Sequence, residues 1–322
     1  MRDLTLVVTD GHAPAALARE SVAAIERLPS AELVMARGIR VGAPADWWLA
    51  VRDSMGAQPT DPEFDALAPV AWFGATGQRS NRVWFATPVR LTAAIDHVRL
   101  DAIAYPAADG AALKAEFQRE FANDGLVLHP HPGPHWFLEV PRELAATTLD
   151  PARVLGNDID GCLPAGAGAG WLRKFMTEVQ MWLHSRAVRP AGFNALWIWG
   201  GGRAWPAPGG QGLPPAASDE PLLRGIYRLA STPCFDAVAT LDDARRLATR
   251  SLIVTVALEQ WRARGEAQPL TRLEREWLAP AWNGLTKGSL ASCTLYLNRT
   301  LVRATRAHAW RIWRPRRHWA EG

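Results

Sequence analysis

Cysteine is scarce in this chain: Cys162, Cys234 and Cys293 are the three, far apart and without paired spacing. An odd, dispersed set excludes a disulfide framework and a cysteine-based zinc site, and it suits a reducing cytoplasm, the expected location. Long apolar runs are also missing. No stretch approaches the roughly eighteen apolar residues that a membrane span needs, so no membrane is expected as a partner. The opening "MRDLTLVVTDG" carries an apolar run too short for a secretory signal. Histidine thins out along the chain: beyond His184 there are only His308 and His318, both in an arginine-rich tail. A histidine-rich metal cluster would have only these two to draw on in the last third.

What is present supports a sizeable core. At 322 residues, 48% of them hydrophobic, the chain has room for one large or two modest domains. The net charge of +4 and pI of about 9.3 come mostly from arginine, and the excess sits in the last twenty residues.

The first segments read as α/β. Residues 4–9 are a short β-rich run ending in Asp10-Gly11, and residues 14–28 an amphipathic helix with Leu17, Val22 and Ile25 on one side. Short helices are expected at 46–55 and 61–72, each after a turn signal. A compact α+β module follows: strands at 82–91 and 97–104, a helix at 108–123, then strands at 125–129 and 135–140 around the proline turn "PHPGP". In residues 171–184, Trp171, Phe175, Val179 and Trp182 form a helical apolar stripe, with Arg173, Thr177, Gln180 and His184 as a polar stripe opposite. Then come a strand at 194–199, a long Gly/Pro loop, a helix at 222–230, a strand at 251–257 and a helix at 270–285. A hairpin of 293–297 and 300–304 turns at Asn298-Arg299.

The run "NALWIWGGGRAWP", residues 194–206, raises the question of a site. As a core strand it places Trp197 and Trp199 on one face. As a cleft floor, Gly200, Gly201 and Gly202 let backbone N–H groups approach an anion and Arg203 adds a charge that can bond in two places. "HPHPGPH", with His129, His131 and His135, has imidazoles at short spacing but no accompanying carboxylate or thiolate. In the tail, arginines interleave with Trp310, Trp313 and Trp319. Trp310 and Trp313 are expected to anchor a last helical turn, leaving the arginines outside.

From residue 82 to 206 the chain resembles archaeal-type cofactor-independent phosphoglycerate mutases of the alkaline-phosphatase superfamily. The resemblance rests on ordered blocks: "FAT", "EFQREFANDGLVLHP", "HWFLEV", "LGNDIDGCLPAG", "LRKFMTEVQMWLH" and "NALWIWGGG". With "LTKGSLASCTLYL" and "AWRIWRP", the whole chain resembles bacterial RpfE-type regulatory proteins. The resemblance implies a reduced alkaline-phosphatase-like α/β sheet built from residues 1–81 and 207–322, with an α+β module, 82–206, inserted. It implies a cleft with Asn194, Trp197, Trp199, Gly200, Gly201, Gly202, Arg203, Glu178 and His184 as candidate ligand-binding residues. Asp10 stands where the family's first metal-binding aspartate follows its strand.

The superfamily's chemistry uses two divalent metals and a nucleophilic hydroxyl. The serines between Gly11 and Phe85 lack the family's nucleophile surroundings, and the segment 185–194 lacks its His-Pro-Val-Asn form. The leading expectation is therefore a catalytically degenerate, regulatory protein that needs no cofactor and binds a phosphorylated small molecule or a protein partner. An alternative is a diverged metal-dependent phosphotransferase or mutase holding two manganese or magnesium ions with Asp10, Asp158, Asp160 and Asp236. A third is a basic tail that binds nucleic acid or an acidic partner.

Overall fold

The computed structural model describes residues 1–9, 26–41, 47, 66–103, 110–186, 192–203 and 213–321. Asp10 and nearly all of the helices expected at 14–28 and 46–55 lie outside them. The strands are β1 (Asp3–Val8), β2 (Ile39–Arg40), β3 (Val83–Ala93), β4 (Val98–Ile103), β5 (Val127–His129), β6 (Trp136–Glu139), β7 (Ala195–Trp199), β8 (Ala216–Ala217), β9 (Cys234–Phe235), β10 (Ser251–Val256), β11 (Ser292–Leu297) and β12 (Thr300–Thr305). The chain divides into two compact units, Met1–Gln58 with Ala207–Gly322, and Pro59–Pro206. The fold is mixed α/β.

The first unit holds a seven-stranded sheet in the order β2-β12-β11-β1-β10-β8-β9. β1 lies parallel between β10 and β11, with Leu6 opposite both Val254 and Leu295. A strand buried on both faces reads as a near-continuous apolar run, as "DLTLVV" does. Leu4, Leu6 and Val8 enter a core shared with Leu252, Val254, Leu295 and Trp277. The β11–β12 hairpin turns with Asn298 and Arg299 both at positive φ, 47° and 58°, the backbone a two-residue hairpin requires.

The helix expected at 270–285 is interrupted. Pro269–Leu273 and Ala279–Lys287 are α-helical, and Glu274–Leu278 between them is a π-turn. The wider turn places Trp277 and Leu278, adjacent in sequence, both in the core. Its Glu274 carboxylate accepts Ser30 N–H at 3.0 and 3.3 Å, which satisfies an open donor at the start of the helix Pro29–Arg37. Partial burial raises the Glu274 pKa, against the pull of that bond.

The tail departs from expectation. Trp310 and Trp313 are 72% and 74% exposed, so neither anchors it. Trp319 does: it is 2% exposed and its Nε1 donates to Glu26 O at 2.8 Å. Trp319 closes the chain onto the segment ahead of the Pro29–Arg37 helix, a contact that spacing within the tail does not reveal.

The second unit is built on β3, eleven residues long. One edge pairs antiparallel with β7 from Phe85 to Val89; the other pairs with β6 and then β4, and β5 adds to β6. One sheet face, with Trp84, Ala86, Trp136, Leu138, Leu196 and Ile198, packs on the helices Gly110–Glu120 and Ala169–Ser185 through Leu113, Phe117, Leu172, Phe175, Val179 and Leu183. The helix Leu67–Thr76, on a segment expected with the terminal ones, belongs to this unit.

An L-residue in the left-handed region costs about 1–2 kcal/mol, a cost glycine does not incur. Arg299→Gly is expected to raise unfolding stability by about 0.5–1 kcal/mol after the extra chain entropy of glycine, read from the urea midpoint.

Candidate functional site

On β7, alternation puts Ala195, Trp197 and Trp199 on the face opposite Leu196 and Ile198, as expected. Both tryptophans are almost wholly buried, at 1% and 4% exposure. Trp197 Nε1 donates to Leu149 O at 2.8 Å. Trp199 lies against Phe85 and His135, and its Nε1 donates to Thr87 Oγ1 at 2.8 Å. Thr87 Oγ1 is in turn 2.9 Å from His135 Nδ1.

A hydroxyl has one hydrogen, so a Thr87 that accepts from Trp199 can donate to His135. That arrangement suits a neutral imidazole with its lone pair on Nδ1. The ring is packed between Phe85 and Trp199, and this desolvation, with a smaller contribution from His131, lowers the His135 pKa to about 3.

The glycines serve packing. Gly200 is at φ 68°, its N–H donates to Thr148 Oγ1 at 3.0 Å and its carbonyl accepts from Ala68 N–H at 2.8 Å. A Cβ on Gly201 would lie 2.0 Å from the Trp84 indole. Gly202, at φ 133°, leads to an exposed Arg203. Asn194 extends the sheet: its side chain accepts Leu91 N–H and donates to Leu91 O, both at 2.8 Å, imitating one more residue of ladder.

The helix Ala169–Ser185 distributes its candidates between two sides. Phe175 and Val179 are buried, with Leu172 and Leu183 completing the apolar stripe; Trp171 and Trp182 are only partly covered. Three members of the polar stripe, Arg173, Thr177 and Gln180, line a cavity of about 160 Å³ with Ala195 and Trp197 of β7. Thr177 Oγ1 donates back to Arg173 O at 3.0 Å. Glu178 is not in this cavity. It pairs with Lys174 at 3.4 Å and borders a broader hollow of about 600 Å³ that includes Trp171 and Trp182. His184 is exposed and lines neither.

Among the histidines of "HPHPGPH", the His129 ring lies tilted against Trp72 with centroids 4.9 Å apart, and His131 Nδ1 accepts Gly133 N–H at 3.0 Å. Sequence reasoning missed the Thr87–His135 contact because the two lie on different strands. "FAT" beside the end of "HPGPH" was the available signal.

In open α/β sheets, ligands gather beyond the C-terminal ends of the parallel strands. In the first unit that edge carries buried Ser218 after β8. Its Oγ accepts Glu220 N–H at 2.9 Å and lies 2.5 Å from Thr255 Oγ1. Arg224 donates to Ser218 O at 3.1 Å and pairs with exposed Asp236 at 2.9 Å; Arg264 pairs with Asp219 at 3.3 Å. Asp158 and Asp160, in the second unit, are exposed, with Asp160 N–H donating to the Asp158 carboxylate at 3.2 Å. Among the described residues no three His, Cys, Asp or Glu side chains gather as a metal-holding group. Asp10 lies outside those residues.

Two measurements follow. Gly201→Ala is expected to cost about 1–3 kcal/mol or more in urea unfolding, since the Trp84 ring must move. For His135, the folded pKa is depressed below the ordinary 6.5, so its contribution to stability is complete above pH 6.5 and falls away towards pH 3. The expected loss is at most about 1.4 kcal/mol per pH unit, with a slope that His135→Phe removes from the stability–pH profile.

No family model matches the chain, and no curated protein matches it. Solved structures do. A cofactor-independent phosphoglycerate mutase from Thermoplasma acidophilum DSM 1728 is similar over 95% of this chain and 90% of its own, with 15% identity and a TM-score of 0.41. The PH0037 protein from Pyrococcus horikoshii is similar over 94% of this chain and 85% of its own, with 12% identity and a TM-score of 0.44.

Proposed function

We propose that this protein is a catalytically degenerate relative of the phosphoglycerate-mutase-like proteins, of the RpfE regulatory type, that binds a small phosphorylated molecule without transforming it. The observation that carries this reading is the cavity where Arg173 and Gln180 face the β7 wall. A guanidinium supplies a planar donor fork for phosphoryl oxygens, an amide adds a neutral donor, and apolar residues form much of the remaining lining. Among the described residues no carboxylate lines the cavity to compete for Arg173. At about 160 Å³ it suits a phosphoryl group on a very short carbon chain.

The loss of catalysis is supported by how the groups near the strand ends are engaged. Ser218 is buried and hydrogen-bonded, and Asp236 and Asp219 are each paired with an arginine. A nucleophile needs an accessible oxygen and a base or metal to take its proton.

With 3-phosphoglycerate titrated into the pure protein by calorimetry, binding is expected, and Arg173→Gln should weaken it about tenfold or more. In the presence of manganese no turnover of 3-phosphoglycerate is expected. Turnover abolished by Asp10→Ala would establish an enzyme instead.

A further inference from the structure

The first unit holds a second cavity, of about 350 Å³, between the helix Pro29–Arg37 and the folded-back tail. Arg40, Arg314, Arg317 and His318 line it together with Glu32 and Met35. We propose that this cavity is a phosphate-class anion site, independent of the β7 cavity in the other unit.

The tail is held at both ends, so the cavity wall is part of the fold. Upstream, Arg37 donates to Ala309 O at 2.6 Å, Arg311 to Arg37 O at 3.4 Å and Arg314 to Gly38 O at 3.4 Å. Downstream, buried Trp319 bonds to Glu26 O, and Asn298 donates to Ala320 O at 3.2 Å. Between these anchors Pro315 restricts the backbone that presents Arg314 and Arg317.

Charge decides what the cavity takes. No acidic residue occurs from 300 to 320. Among the described residues Glu32 is the one carboxylate in the lining, only 2% exposed, and both its oxygens are engaged by Arg27, at 3.1 and 2.5 Å. Its charge is therefore met from outside the cavity, which leaves three guanidiniums with no carboxylate of the lining to answer them. A concave surface of one sign concentrates counter-ions, and guanidiniums bind phosphoryl oxygens in pairs. The volume falls within the range of ordinary ligand pockets, from about 300 Å³ upwards, enough for a phosphoryl group with a small substituent.

The phosphoryl group has two sources, a soluble phosphate or a lipid headgroup. The second enters because Trp310, Ile312 and Trp313, on the same tail, are 72%, 73% and 74% exposed. Exposed aromatic and aliphatic side chains among arginines suit the surface of an anionic bilayer.

The experiment uses the full chain. Inorganic phosphate, pyrophosphate and glycerol phosphate are titrated by calorimetry, and vesicles of phosphatidylcholine with or without phosphatidic acid are tested by co-sedimentation. The expected result is binding in at least one arm, weakened about tenfold or more by the double variant Arg40→Gln/Arg317→Gln. Arg246→Gln, which removes a charge outside the cavity, should leave it unchanged. Binding of the soluble phosphates identifies a free ligand; binding only to phosphatidic acid vesicles, with the same loss in the double variant, identifies a headgroup. No binding at millimolar phosphate or to either vesicle overturns the proposal, as does an equal loss in Arg246→Gln. Melting temperatures without ligand verify folding, and if the double variant does not fold, Arg317→Gln, on an exposed residue, is read in its place.

Discussion

A buried hydroxyl that accepts from one neighbour still has its hydrogen to place, and a second neighbour with a lone pair can take it. Thr87 is in that position, fully buried between the Trp199 indole and the His135 imidazole. Much of the second unit depends on this chain of bonds. It ties β7 to β3 and β3 to the segment entering β6, and burial keeps the imidazole uncharged. Slipping β7 by one residue would take both tryptophans to the helical face and break the Trp197 and Trp199 donor bonds together. With the register held, the strand ends at Gly200, where a left-handed turn and the Trp84 ring leave no room for a side chain at Gly201. The glycines that suggested an anion cradle are accounted for by the strand before them.

Such constraints explain what the sequence made legible. Periodicity reports burial within one element, so β3, β4, β7, the α+β order of the module and the apolar stripe at Phe175 and Val179 could be read directly. The Asn298-Arg299 turn was legible because two strand-like runs stand only two residues apart and Asn tolerates the left-handed region. Contacts between distant segments were not. Nothing local to the tail distinguishes Trp319 from Trp310 and Trp313, since the deciding partner is a backbone carbonyl at Glu26. The π-turn at Glu274–Leu278 was invisible for a related reason: it is set by what the helix packs against, not by its own spacing.

The candidate site was legible in a similarly uneven way. The polar stripe of the Ala169–Ser185 helix was apparent as a pattern, but only the structure shows that Arg173 and Gln180 face a cavity while Glu178 turns to Lys174. Residue type cannot reveal whether a side chain is already engaged. Asn194, Trp197 and Trp199 are polar or aromatic residues of the kind that bind ligands, and here their polar atoms complete the fold. Arg203 is the member of that run left exposed.

This suggests where to look for function in a chain with so many arginines. Most have an engagement in the structure, as Arg224 with Asp236, Arg245 with Asp242 and Arg264 with Asp219 do, and a surface pair of that kind contributes little. An arginine that lines a cavity without a carboxylate opposite differs in kind. Its own burial cost is small because it keeps contact with water, yet part of its field is confined by low-dielectric walls, so an entering anion gains more than it would at an open surface. Among the described residues Arg173 meets that condition in one unit; in the other, Arg40 and Arg317 share their cavity with Glu32, whose carboxylate is held by Arg27. The positive charge of the tail is thus only partly a solvated run, since Arg314 and Arg317 line a cavity with Arg40 of another segment.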